Sequence, residues 1–108
     1  MDDRTSRLDR VFFHPTRVLI VKQLVEAAGG RQSFVELYKR CDINNHGTLR
    51  SHLKTLQRAD YVEAAKSFNG VVPLTTVILT ETGRRAYQAH IAALTMLVRS
   101  PEKWEAHA

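Results

Sequence analysis

The residues whose types and spacing could do chemistry gather in one stretch, Asn44 to Arg58, reading Asn-Asn-His-Gly-Thr-Leu-Arg-Ser-His-Leu-Lys-Thr-Leu-Gln-Arg. Wound as a helix at about 100° per residue, it puts Leu49, Leu53 and Leu56 in one narrow apolar stripe, with Gly47, Arg50, Ser51, Lys54, Thr55 and Arg58 opposite. The opposite face carries three cations and, between Asp42 and Asp60, no acid. Arg and Lys can donate to guanine O6 and N7 or to phosphates, and Ser and Thr hydroxyls can bond base edges. Such a helix has the chemistry to lie in a DNA major groove. A solvated basic face on an ordinary amphipathic helix shows the same pattern, so the setting has to decide.

Other chemistries find less support. The chain has five histidines and one cysteine. Cys41 and His46 are the only close Cys/His pair, and neither has a second thiol or a His at i+4 to complete a metal set, so no metal or other cofactor is expected. Cys41 reads as a small buried hydrophobe rather than a redox thiol. There is no Gly-rich phosphate loop, no convergent Ser/His/Asp set and no paired acids beside a His, so an enzyme is not expected. A single cysteine excludes an intrachain disulfide and suits a reducing compartment. Residues 1–7 lack the apolar core of a signal peptide, and runs such as Val18 to Val21 are far too short to span a bilayer. A soluble cytoplasmic protein without a membrane partner is expected. The net charge of +5 over 108 residues favours polyanionic partners, although it serves solubility equally well.

At 108 residues the chain is expected to be one domain with one modest core. Leu8 to Phe13 reads as a short helical turn. Pro15 suits the first position of a helix running to about Ala28, with Gly29-Gly30 as its left-handed end. Ser33-Phe34-Val35-Glu36 reads as a capping box opening a short second helix, in which Ser33 and Glu36 satisfy backbone N–H groups reciprocally and Phe34, Leu37 and Tyr38 face the core. Asn44 and Asn45 can cap the third helix, residues 45–58. From Tyr61 the period changes from helix to strand. With Asn69-Gly70 as a two-residue hairpin turn, Val62 faces Val77 and Ala64 faces Thr75, so Val62, Ala64, Val77 and Leu79 share a core-facing side. Pro73 belongs near the tip or on an outer edge. Thr80 caps a last helix to about Arg99, and Trp104 in the tail is expected to cover an apolar edge.

The order helix, helix, helix, hairpin, helix is α+β, mainly α, and is that of a winged helix-turn-helix with an added C-terminal helix. The segments His14-Pro15-Thr16-Arg17, Ser33-Phe34-x-Glu36-Leu37, Gly47-x-Leu49-x-x-His52-Leu53, Tyr61-Val62, Lys66-x-Phe68-x-Gly70-x-x-Pro73 and Leu79-Thr80-x-x-Gly83-Arg84 resemble the small bacterial and archaeal winged-helix regulators of the MarR/ArsR-like group, most closely the compact winged helix DNA-binding domain family. The resemblance runs from about Leu8 to Val98. It implies a winged-helix core over residues 8–80, a dimerisation helix over 81–99 and a tail over 100–108. It further implies a homodimeric transcriptional regulator, acting as a repressor on double-stranded DNA, with the third helix in the major groove, the wing near the flanking minor groove, and room for an unidentified small-molecule effector.

Carried over onto this sequence, the resemblance assigns the DNA surface to Gly47, Thr48, Arg50, Ser51, Lys54 and Thr55, with Arg58 at its outer end and Lys66 on the wing. His52 lies beside the leucine stripe and is expected to pack or hydrogen-bond rather than read bases. Two departures stand out. Family wings often carry Arg after the wing glycine, whereas this chain reads Val71-Val72-Pro73-Leu74, and Asp60 stands where Gly is usual before Tyr61. The apolar wing supports a rival reading, a protein-interaction module with little DNA affinity.

Overall fold

A helix start leaves backbone N–H groups unpaired, and all but one of the α-helices described below begin where a side chain accepts such a group. The structure, a computed structural model, describes residues 8–99. Asp9 caps a 3-10 turn, Arg10–Phe13, by accepting from the Val11 N–H at 2.9 Å. Helix α1, Pro15–Glu26, starts on its proline. It stops two residues short of the expected Ala28, because Ala27 already takes extended backbone (φ −79°, ψ 147°); Gly29 and Gly30, left-handed at φ 68° and 67°, follow in a 3-10 turn, Ala28–Gly30. Ser33 Oγ accepts from the Glu36 N–H at 3.1 Å to open α2, Phe34–Arg40. Only this half of the expected capping box forms: the Glu36 carboxylate instead takes Arg40 Nε at 3.2 Å, one turn on. Helices α3, His46–Arg58, and α4, Glu81–Val98, are capped by Asn45 and Thr80.

Three antiparallel strands complete the chain in the order β1-β3-β2, with β1 at Arg31–Ser33, β2 at Val62–Asn69 and β3 at Val72–Leu79. Strand β1 has only three residues, too few to display an alternation, and sequence reasoning missed it. The hairpin register also differs from expectation. Asn69 pairs with Val72, so the turn is Gly70-Val71 and Val62 pairs with Leu79 rather than Val77. Gly70 alone has positive φ, 68°, as a turn with glycine at its first central position requires. The slip is two residues, the period of a strand, so the same side chains still share a face. Pro73 pairs with Phe68 next to the turn, past the reach of β1, which meets β3 only at residues 76–78. A missing N–H there interrupts no central ladder.

Ile20, Val21 and Leu24 of α1, Leu37 of α2, and Leu49 and Leu56 of α3 pack with Val62, Val77 and Leu79 of the sheet in one cluster. Among the described residues, no helix is long and apolar enough to cross a membrane.

The joint between α3, the wing and α4 is closely packed. Tyr61 N–H bonds the Leu56 carbonyl and Asp60 N–H the Gln57 carbonyl, both at 2.9 Å, which closes α3 as a Schellman motif with Asp60 left-handed at φ 63°. Thr80 N–H then donates to the Tyr61 carbonyl at 3.0 Å, and its hydroxyl donates to the Asp60 carbonyl at 2.6 Å while accepting from Gly83 N–H at 2.9 Å. A Cβ on Gly83 would stand 2.1 Å from the Tyr61 carbonyl oxygen. Beside this joint Phe12 stacks on Tyr61 at 5.6 Å and touches the Tyr87 and His90 rings. Asp9 ties the group together: its carboxylate accepts from Tyr61 Oη and its N–H donates to His90 Nδ1 at 3.0 Å. Burial, the Asp9 hydrogen bond and the Asp9 charge push the Tyr61 hydroxyl up to about 12. Burial pulls His90 below its ordinary 6.5 against the opposing influence of Asp9.

Two substitutions at the joint have opposite expected signs. Gly83→Ala, which ordinarily stabilises a helix, should destabilise by about 1–3 kcal/mol or more in urea unfolding, since the backbone must move. Asp60→Gly relieves a left-handed residue and should raise stability by up to about 1 kcal/mol. The His90 shift gives a pH dependence. Its neutral form is the one the fold accepts, so its contribution is complete above the unfolded value of 6.5 and is lost as pH falls below it. Urea midpoints should therefore drop as pH falls below about 6.5, with His52 acting in the same direction, and His90→Asn should reduce that drop.

Candidate functional site

Burial of Leu49, Leu53 and Leu56 at 0%, 7% and 0% exposure fixes which side of α3 is left to solvent. Its start is fixed separately: Asn45 Oδ1 accepts from the Thr48 N–H at 2.8 Å and from the Thr48 hydroxyl at 3.1 Å. His46 sits edge-on to Tyr38 with ring centroids 4.3 Å apart, and Tyr38 Oη donates to the Asn44 carbonyl at 3.2 Å. The turn between α2 and α3 is thereby tied to α2 by both backbone and ring contacts.

Of the residues expected on the offered face, Gly47, Thr48, Arg50, Ser51, Lys54 and Arg58 are exposed. Thr55 departs from expectation. It is half-buried, and its hydroxyl donates to the Ser51 carbonyl at 3.3 Å. Thr48 is exposed, yet its hydroxyl is engaged in the cap. The Arg50 guanidinium lies over the Phe34 ring at 5.6 Å from its centroid, a cation–π contact that aims it away from the core.

His52 behaves as expected. Its Nδ1 accepts from Arg17 Nε at 3.1 Å, and burial, followed by the Arg17 and His14 charges, keeps its pKa below 6.5. Arg17 also donates to the Val11 carbonyl at 3.3 Å, so one side chain bolts α3 and the N-terminal turn to α1. Sequence reasoning gave Arg17 no role, although it stands inside the His14-Pro15-Thr16-Arg17 motif, which was the available signal.

An open cleft of about 440 Å³ runs between α3 and the hairpin, with Phe34, Leu53, Val62 and Val77 along its apolar part. Arg50, Lys54 and Gln57 approach it from α3, and Ala64, Lys66 and Thr75 from the strands. The fold thus brings Lys66 to the same opening as Arg50 and Lys54, and no acidic residue lines it. Ala64 is on the expected strand face but exposed at this rim, beyond the buried Val62. Cys41 is buried, which raises its thiol above the ordinary 9.0. Among the described residues, no three His, Cys, Asp or Glu side chains converge as metal ligands. Trp104 lies outside the described residues.

A family model described as winged helix DNA-binding domain matches residues 16–98. No curated protein matches the chain. Among solved structures, the transcriptional regulator homologue protein from Pyrococcus horikoshii OT3 superposes with a TM-score of 0.76 at 21% identity, over 91% of this chain and 95% of that one. AbsC, a MarR family transcriptional regulator from Streptomyces coelicolor, gives 0.62 at 18% identity over 95% and 73%. Sco3205, a MarR family regulator from the same organism solved in complex with DNA, gives 0.66 at 19% over 95% and 71%. At these identities the likeness establishes the fold.

Because Asn45 caps the exposed helix through two bonds, Asn45→Ala should lower stability by about 0.5–2 kcal/mol, whereas Asn45→Asp, which keeps the acceptor, should leave it nearly unchanged. Thermal unfolding of the two variants checks this.

Proposed function

The chain belongs to the winged helix DNA-binding domain family, and from that membership we propose that it is a transcriptional regulator binding double-stranded DNA as a homodimer, with α3 in the major groove. The observation that carries this reading is the cationic face of α3, backed by a leucine stripe, aimed by Phe34 and continued across the cleft by Lys66. Arg50 is the base reader, at guanine O6 and N7; Lys54, Arg58 and Lys66 hold phosphates. Gly47 and Ser51, without bulky side chains, let the helix approach base edges. The known complex of Sco3205 with DNA, on the same fold, supports the assignment.

Dimerisation finds support in the apolar residues that α4 leaves outside the core: Leu94 and Val98 are 41% and 67% exposed, and Phe13 at 57% lies near the same helix through its ring contact with His90. A twofold pair would place two α3 helices about 34–36 Å apart, one turn of B-DNA, on a pseudo-palindromic site. A second reading, a protein-interaction module, is favoured by one observation, the exposure of Phe68, Val71 and Val72 on the wing.

Fluorescence anisotropy with a mixed-sequence duplex separates the two. For the regulator, affinity should fall by roughly 10²- to 10⁴-fold from low to near-physiological salt as phosphate contacts release counterions, whereas no binding at low salt would leave the interaction module standing. On a duplex selected from random DNA, Arg50→Ala should lose about 1–3 kcal/mol and relax the preference at one base pair. Lys54→Ala should weaken all sequences alike and lower the salt slope by about one.

A further inference from the structure

We propose that the wing tip is an apolar wedge for the DNA minor groove beside the α3 site, an inference that rests on the DNA-binding reading above. Val62, Ala64, Lys66 and Phe68 alternate onto one face of β2, and their partners across the ladder are Leu79, Val77, Thr75 and Pro73. The inner members of this face line the cleft that Arg50 and Lys54 share. Phe68 and Pro73 therefore continue the cleft face outward, on the side that α3 presents.

Three features select nucleic acid as the occupant. From Ala64 to Thr80 the hairpin contains no acid, and its one charge is Lys66, two residues from Phe68 on the same face. Glu63, the acid of β2, lies on the opposite face, so a polyanion can approach along the face of Lys66 and Phe68, and Lys66 can take a phosphate while the tip goes between the strands. The second feature is reach. At about 3.3 Å per residue, Phe68 stands about 13 Å and the turn about 20 Å beyond Ala64, while half a turn of B-DNA, the step from a major groove to its flanking minor groove, is about 17 Å. The third is side-chain chemistry. Phe68 and Val71 are 73% and 93% exposed, beside Pro73. Such groups give no donors to minor-groove acceptors, but they can lever a base step apart, as apolar minor-groove wedges do. The wing would then select deformable pyrimidine–purine steps rather than a hydrogen-bond pattern.

Counterion release supplies the test, because an apolar contact adds affinity without adding to the salt slope. A duplex selected on the wild-type protein from random DNA is titrated with wild type, Phe68→Ala, Lys66→Ala and Lys54→Ala. 2-Aminopurine is placed at the flanking step, and donor and acceptor dyes at the ends report bending. Circular dichroism confirms folding, which the exposure of Phe68 favours. Phe68→Ala is expected to weaken binding roughly tenfold with an unchanged salt slope, and to lose both the 2-aminopurine signal and the bend, while Lys66→Ala lowers the slope by about one. If Phe68→Ala binds and bends like wild type while Lys54→Ala is weakened, the wedge is overturned and the α3 reading stands. If wild type binds no duplex at low salt, the DNA-binding reading itself fails and the wedge with it.

Discussion

The carbonyl of Tyr61 is the constraint on which the placement of the wing depends. It receives the Thr80 N–H at 3.0 Å and leaves no room for a Cβ on Gly83, so the backbone leaving α3 and the first turn of α4 are in direct contact. The wing is the excursion between these two points. Its strands start and end within one hydrogen bond of each other, which fixes how the hairpin leaves the body and hence where its cleft face lies relative to α3. The Tyr61 side chain extends the constraint to the N-terminal turn through Asp9 and the Phe12 stack, and from Asp9 to His90 on α4. The end of α3, the N-terminal turn and α4 thus meet around one residue.

A second set of contacts holds the exposed helix itself. The leucine stripe determines its roll about its axis, Asn45 its start, the Schellman bonds its end, and the Arg17–His52 bond its tie to α1. Cations on a helix so fixed lose less freedom on meeting a polyanion than cations on a loop would. Arg50, laid over Phe34, is the clearest case, since the side chain with the most to lose in rotamer freedom is already restrained.

One of the two departures of this chain from the family pattern falls where these constraints are weak. Phe68, Val71 and Val72 at the tip of the hairpin are largely exposed, so burial does not dictate its residues, and there the expected arginine is replaced by apolar groups. Asp60 is different. It occupies a left-handed position that glycine fills more easily, and aspartate is among the few other residues that tolerate it. Its N–H and carbonyl still make the bonds that the motif needs, to the Gln57 carbonyl and the Thr80 hydroxyl.

Much was legible in the sequence because local chemistry reports local structure. The 3.6-residue spacing of Leu49, Leu53 and Leu56 gave the buried and offered faces of α3, Ser33, Asn45 and Thr80 marked three helix starts, and Gly29-Gly30 and Gly70 marked turns. The strand faces survived a wrong register because the error equalled the strand period. What tertiary structure alone decided involves partners distant in the chain. Strand β1 exists because Arg31–Ser33 finds β3, more than forty residues on, and Arg17 acquires its role only when His52 arrives beside it. Lys66 joins Arg50 and Lys54 at one cleft because the hairpin folds back past α3. A local pattern records which face of an element avoids water, whereas which faces meet depends on chain closure and packing, and no spacing within a single element encodes it.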